Sequence, residues 1–417
     1  MSRNFWFIVI TIMFILMSFS TLRFNVGFEI RFNQVFILVV FVLILLNDLK
    51  NKTLNLKILL YMFLAGMLLS LISLNSIYYK TGELKFIIKY LFVFPAVFYV
   101  GSRLIDILGP KNLIKAIEIA VFIYCLDAII LYYFPIPSLI HDRGSLTGFQ
   151  GTFWETVWLA KALMLFFIAS ISLRFDFKIF PRKKIYLAMF YLFLIINMII
   201  TKSKAIWVGL ISVIITSLLV YWYFVILSYR RLTSTKFFLF LNIPNTLKRL
   251  NFKYIFGLTV LIFVVLFIFN NFVFEKPIVS KEMIMWKLQG ERGKAFKVAI
   301  QLLEQSNWIG GYGFGFIEKY FSTFYRDTIV GLGKGVNMIF NSFLDIWLSA
   351  SIVGLVYILS LIALSFSPRY LFTISIPAYL FVVGNISPYI GSEYFWLFLG
   401  ISYGIKRYSF EGLPKDA

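Results

Sequence analysis

The sequence predicts an all-α, polytopic transmembrane helical bundle of about twelve spans. Three observations predict it. Of the 417 residues, 60% are hydrophobic and only 14% charged. Apolar runs of the roughly 20 residues needed to cross a bilayer recur along the chain, and a soluble core does not use such lengths. The short connections between them alternate between rich and poor in Lys and Arg, the asymmetry of a chain threaded back and forth through a membrane. Inside lipid the backbone must satisfy its own hydrogen bonds, so each run is a helix.

The spans fall near 5–22, 33–48, 56–74, 86–102, 114–134, 156–173, 185–200, 204–228, 253–274, 337–365, 369–386 and 390–405. Arg3 precedes the first run, but no small-residue cleavage site follows it, so this run is a retained helix and not a signal peptide. With the N-terminus inside, the cytoplasmic loops hold Lys50, Lys52 and Lys57, then Arg103, Lys111 and Lys115. Arg174, Lys178, Arg182, Lys183 and Lys184 follow, and then Arg230, Arg231, Lys236, Lys248, Arg249 and Lys253. Lys406 and Arg407 come after the last span, which makes both termini cytoplasmic. The net charge of +21 is thus a topology signal and not a nucleic-acid footprint.

Two external segments stand out, 135–155 and the much longer 275–336, and a loop of that second length is usually functional. Within it Glu291–Gln305 reads as an amphipathic helix able to lie along the membrane surface. Ala295, Phe296, Val298, Ala299, Leu302 and Leu303 form its apolar side, with Arg292, Lys294 and Lys297 among the polar positions. A glycine-rich turn follows, Gly310, Gly311, Gly313 and Gly315 interleaved with Tyr312, Phe314 and Phe316. Glycine permits close approach of backbone to a ligand or to another helix. No strand precedes the turn, so it is not a dinucleotide fingerprint.

Metal and thiol chemistry find little support. Cys125 is the single cysteine and sits in an apolar stretch, and His141 is the single histidine. No disulfide framework, thiolate site or histidine cluster can be built within the chain, and no paired carboxylates argue for a divalent cation. Anion chemistry fares better. Thr201, Lys202, Ser203 and Lys204 sit at the external face just before a helix that descends into the membrane. Its N-terminal N–H groups and dipole favour an anion, and the two lysines add the same sign, although lysines there also snorkel to headgroups. Arg143 and Arg292 suit the same cavity, because guanidinium groups bind phosphate oxygens bidentately. Asn337, Asn341, Asp345 and Ser349 recur every fourth residue and mark a polar stripe on the span 337–365, for interhelical hydrogen bonds or for a water-filled cavity.

These residues resemble the O-antigen polymerase and O-antigen ligase superfamily, integral-membrane glycosyltransferases of the C type. Arg143-Gly144-Ser145-Leu146-Thr147-Gly148 is similar to the arginine and glycine pattern of the family's external loop. Ile200-Thr201-Lys202-Ser203-Lys204-Ala205 resembles a T-x-S-R-G segment, with Lys204 where arginine is usual. Arg292 followed by Gly311-Tyr312-Gly313 resembles the arginine-bearing helix and G-x-G turn of the long external loop. Asn341-Ser342-Phe343-Leu344, with Gly354-Leu355 beyond, resembles the H-N-x-[FY]-L segment that opens the next span. The patches lie between 143 and 355, and their order and external placement carry the likeness.

The resemblance implies a metal-independent and cofactor-free polymerase in a bacterial inner membrane. A growing glycan would leave its polyprenyl diphosphate and join a hydroxyl on an incoming lipid-linked repeat unit. The implied partners are that lipid-linked oligosaccharide and membrane lipids, the protein acting alone or beside a chain-length co-polymerase. Arg143, Lys204 and Arg292 would stabilise the departing diphosphate, assisted by Lys202 and Arg326. Asn341 joins the catalytic set. Glu155 leads Asp142, His141 and Glu393 as a general base because it borders a span. Gly311, Tyr312 and Gly313 would contact glycan. Phe340 stands where ligases carry a catalytic histidine and cannot take a proton, which favours the polymerase branch. Ligase-type transfer and a flippase for the same lipid remain the alternatives, the latter without the internal repeat many transporters show.

Overall fold

The computed structural model describes residues 2–19, 23–25, 29–74, 84–134, 156–181, 184–201, 203–230, 291–317, 339, 341–387 and 389–410. Among these the chain is helical apart from one antiparallel ribbon, β1 (Arg23–Asn25) and β2 (Glu29–Arg31), with Arg23 opposite Arg31. The helices are α1 (Arg3–Leu16), α2 (Phe32–Asn51), α3 (Leu56–Leu74), α4 (Leu84–Ile88) and α5 (Phe94–Tyr133), the last two joined by a π-turn (Lys89–Val93). They continue as α6 (Thr156–Phe177), α7 (Lys184–Ile200), α8 (Lys204–Arg230), α9 (Glu291–Gln305), α10 (Ser342–Ser365), α11 (Leu371–Ile386) and α12 (Glu393–Phe410).

Among the described residues four stretches are long and apolar enough to cross a membrane on their own, Phe32–Asn51, Leu56–Leu74, Val157–Phe177 and Ser342–Ser365. Shorter apolar helices accompany them, Arg3–Leu16, Ile185–Ile200, Trp207–Val220 and Leu371–Ile386. The fold is therefore a helical membrane bundle. Each expected span coincides with a helix except 253–274, which lies outside the described residues, but three boundaries need correction. The first helix stops at Leu16, not at 22, where the Ser18 hydroxyl turns back to the Ile15 carbonyl and the chain then enters β1. The tenth begins at Ser342, not at 337, because Asn341 caps it. The expected cytoplasmic loop 103–113 is instead a one-residue elbow within α5. Gly109 adopts φ 70° and ψ 164°, a region open to glycine, and Pro110 starts the second arm with a fixed φ and no N–H to lose.

Close backbone approach holds the centre together. α12 carries Gly400 and Gly404 one turn apart and lies along α5 at Gly101. A Cβ on Gly400 would stand 2.2 Å from the Phe98 carbonyl oxygen, and one on Gly404 2.5 Å from that of Ser102. In lipid, where apolar surface gains nothing by leaving water, this close van der Waals packing is what associates helices. Beside it Trp396 stacks on Phe94 with ring centroids 4.8 Å apart, and the Tyr124 hydroxyl donates to the Phe14 carbonyl, tying α1 to the second arm of α5.

The two ends of the bundle differ in chemistry. At one end meet the start of α1, the turn after α2, the α5 elbow and the tail of α12. Asp48 is fully buried there, accepting from Arg103 at 2.8 Å, from Tyr99 at 2.8 Å and from Thr53 at 3.1 Å. Arg103 also bonds Asp106, which pairs with Arg407. Nearby, Arg174 at the end of α6 pairs with Glu118 of α5, and Asp176 accepts from the Leu371 and Phe372 amides that open α11. The opposite end holds the starts of α2, α10 and α12 and the close of α11.

Candidate functional site

Irregular backbone inside a membrane bundle is tolerated only where protein or a cavity satisfies it, so its location is informative. α10 breaks at Ala350 (φ −118°) and Ser351 (φ 62°, ψ −178°), roughly 13 Å along the helix from its start. The groups freed by the break are taken up by the glycine turn. Gly311 and Tyr312 donate to the Leu348 carbonyl at 2.8 and 2.7 Å, Gly313 donates to that of Ser349 at 3.0 Å, and Ile352 donates to the Ile309 carbonyl at 2.9 Å. The turn can lie this close only because of its glycines. Gly311 and Gly313 have φ 88° and 94°, and a Cβ on Gly310 would stand 2.3 Å from the Trp347 carbonyl oxygen.

The same turn reaches α3 and the π-turn. Phe314 donates its amide to the Ser73 hydroxyl at 2.9 Å, and its ring stacks on Tyr90 at 4.5 Å and 11°. A π-turn widens a helix by one residue and is frequent at functional sites; this one places Tyr90 between Phe314, Phe94 and Trp396. Three departures from regular helix thus converge, on α10, on the glycine turn and on Lys89–Val93. The amphipathic helix has the expected bounds, Glu291–Gln305. Ala295, Val298, Ala299, Leu302 and Leu303 are buried against Phe316, Ile317, Leu344 and Leu348, whereas Phe296, expected on that side, is 46% exposed. Its apolar stripe packs on α10 through this cluster.

At the same end of the bundle the turn between α11 and α12 is pinned by Ser342. Its hydroxyl accepts from the amides of Tyr389 and Ile390 and donates to the Ser387 carbonyl at 2.8 Å. Lys161, only 2% exposed, holds its ammonium 4.5 Å from the Trp158 ring and 5.4 Å from Tyr389. Glu393, also 2% exposed, accepts from the Gln34 amide at 2.5 Å. A buried lysine and a buried carboxylate thus lie on neighbouring elements at this end.

The sequence-derived candidates are spread over several elements. Lys204 opens α8 and Arg292 lies in the first turn of α9, each at a helix N-terminus. Gly209 of α8 meets Tyr379 and Val383 of α11, and Gly384 meets Phe343 of α10, so α8 and α10 flank α11. Asn341 is the N-cap of α10, its Oδ1 accepting from the Phe343 and Leu344 amides at 3.0 Å and its Nδ2 donating to Asn385. Asp345 and Ser349 do lie one turn apart and bond at 3.3 Å, but Asn341 is outside the helix and Asn337 outside the described residues. Tyr312 donates to the Leu302 carbonyl and stacks on Phe316 at 4.8 Å, while the rings of Phe314 and Phe316 are buried in protein. Arg143, Glu155, Lys202 and Arg326 lie outside the described residues, as do Asp142 and His141.

Sequence reasoning misses Lys161 and the pairing of Gln34 with Glu393. An isolated lysine four residues inside the apolar run from Val157 is itself the signal, since an intramembrane charge calls for a partner. The break in α10 has no comparable mark, for no proline occurs between Ser342 and Ser365. Among the described residues no group of His, Cys, Asp and Glu is arranged to hold a metal ion. No protein-family model and no curated protein matches the chain.

Proposed function

We propose that this protein polymerises polyprenyl-diphosphate-linked oligosaccharide repeat units at the outer face of a bacterial inner membrane, as a chain of about twelve spans with both termini inside. One observation supports the reading: the Gly310–Gly313 turn is seated in the break of α10, which ties the described part of the long segment, 291–317, to the helical bundle. In this reading the segment's water-facing residues stand beside buried ones, as a transfer between two lipid-linked substrates requires. The chain's own residues then have these roles. Lys204 and Arg292, with Arg143, hold the diphosphate as negative charge develops on it, and Lys202 and Arg326 assist; fixed cations in a water-poor site serve this purpose well. Lys161 adds a cation already desolvated by Trp158 and Tyr389. Glu155, or the described carboxylate Glu393, takes the proton of the acceptor hydroxyl.

The test uses purified full-length protein and a synthetic lipid-linked repeat unit. Wild type is expected to yield dimers and longer products, and Arg292→Ala to slow their formation by roughly 100-fold or more with substrate binding less affected. Wild-type rates for both Arg292→Ala and Lys204→Ala would remove the assigned cations from the reaction.

A further inference from the structure

The charge-rich end of the bundle, opposite the proposed transfer site, carries an open cavity of about 1120 Å³. Among the described residues five cationic side chains line it, Arg3, Lys52, Lys57, Arg103 and Arg407, against one lining carboxylate, Asp106. Arg103 is committed to the wall: both Asp48 oxygens, Asp106 and Thr53 take its N–H groups. Arg407 pairs with Asp106, and Arg3 anchors its Nε on the Leu108 carbonyl at 3.0 Å beside the Gly109 elbow. Even with Asp48, buried behind the lining, counted beside Asp106, the described groups here are five positive to two negative. Helix starts and helix ends both open here, α1 and α3 by their N-termini and α2 and α12 by their C-termini, so their dipoles offset and side-chain charge decides the sign.

Cytoplasmic lysines and arginines are expected of any inner-membrane protein, but that rule needs them only in the loops. It does not need a concave site with a rigid floor. The Asp48–Arg103–Asp106–Arg407 chain supplies that floor, and Lys52 and Lys57 are exposed at either side of the turn that rims it. Lys52 is held there by a left-handed backbone, φ 56°, at the end of α2. Trp6, 3% exposed, and Tyr408 add aromatic wall, the amphipathic type found where one side of a site is apolar and the other wet.

We infer that this cavity binds a phosphate-bearing anion, the phosphate meeting Lys52, Lys57 and Arg3 above the Arg103–Asp106 floor. The inference is independent of the glycan reading. Phosphate chemistry is shared by an anionic phospholipid headgroup and by a soluble phosphoanion, and the experiment separates them. Full-length protein in neutral detergent is titrated with short-chain phosphatidylglycerol, with phosphatidylcholine and with inorganic pyrophosphate, following thermal unfolding. Three proteins are compared: wild type, Lys52→Gln/Lys57→Gln, and Lys111→Gln/Lys115→Gln, which removes equal charge beside the cavity but not from its lining. Wild type and the Lys111/Lys115 control should show a saturable rise in unfolding temperature, and the Lys52/Lys57 variant should bind about tenfold more weakly. A response to phosphatidylglycerol alone assigns the site to a headgroup, and one to pyrophosphate assigns it to a soluble anion. No saturable response, an equal response to phosphatidylcholine, or equal weakening in both variants would overturn the inference.

Discussion

The amide of Asn341 does two things at once: its oxygen caps α10 and its nitrogen reaches Asn385 on α11. Asn341→Ala should therefore lower stability by about 1 kcal/mol through the lost cap, and Asn341→Asp should restore it. Unfolding in detergent reads the stability and product length reads the chemistry. If Asn341→Asp unfolds like wild type yet makes no polymer, the amide has a task beyond capping. A second residue-scale expectation concerns Asp48. Arg103→Leu leaves that carboxylate buried with only Tyr99 and Thr53, a loss of about 3–5 kcal/mol, whereas adding Asp48→Leu should recover much of it. A double-mutant cycle on unfolding free energies checks this, and additive losses would contradict the pairing. Residue identities of this sort are only partly legible in the sequence. Lys204 and Arg292 do begin helices as expected, because capping and amphipathic patterns are local. Asn341 reads as a member of a polar stripe because four-residue spacing does not distinguish a helix interior from its cap.

Among elements, α9 shows what periodicity delivers: its bounds and most of its buried side follow from spacing, and Phe296 escapes because the stripe is narrower than a hydrophobicity count makes it. The α5 elbow is visible as a Gly-Pro pair but not as a joint between continuous helices, since the pair alone does not say how tightly two arms pack. Least legible is the break in α10. Its hydrogen-bond partners lie some forty residues earlier in the chain, in a turn whose glycines fit simple loop flexibility equally well. Gly310→Ala tests that docking. The added methyl meets the Trp347 carbonyl at a φ of 73°, so we expect destabilisation of at least about 1–3 kcal/mol, seen as faster proteolysis of the 291–317 region. Unchanged proteolysis would mean the turn does not sit in the break.

For the molecule as a whole, the hydrogen bonds gather helix termini, starts and ends alike, at one or the other end of the bundle. Gln34 meets Glu393, Ser342 meets Tyr389, and Phe314 meets Ser73 at one end; Asp48 meets Arg103, Asp176 meets Leu371, and Lys406 meets the Leu364 carbonyl at the other. Up-and-down threading of a bilayer gives this pattern, and it is the pattern that charge asymmetry in the loops requires. In the proposed orientation the end bearing Lys161, Glu393 and the glycine turn performs transfer, and the end bearing the basic cavity faces the cytoplasm. Polymerase activity is read most directly from glycan length on a gel, in cells lacking the protein and in the same cells supplied with it again. A polymerase predicts single-repeat glycan in its absence and a ladder on its return. Full-length glycan left unattached to its final carrier, or lipid-linked repeats accumulating on the cytoplasmic face, would contradict it in favour of a ligase or a transporter respectively.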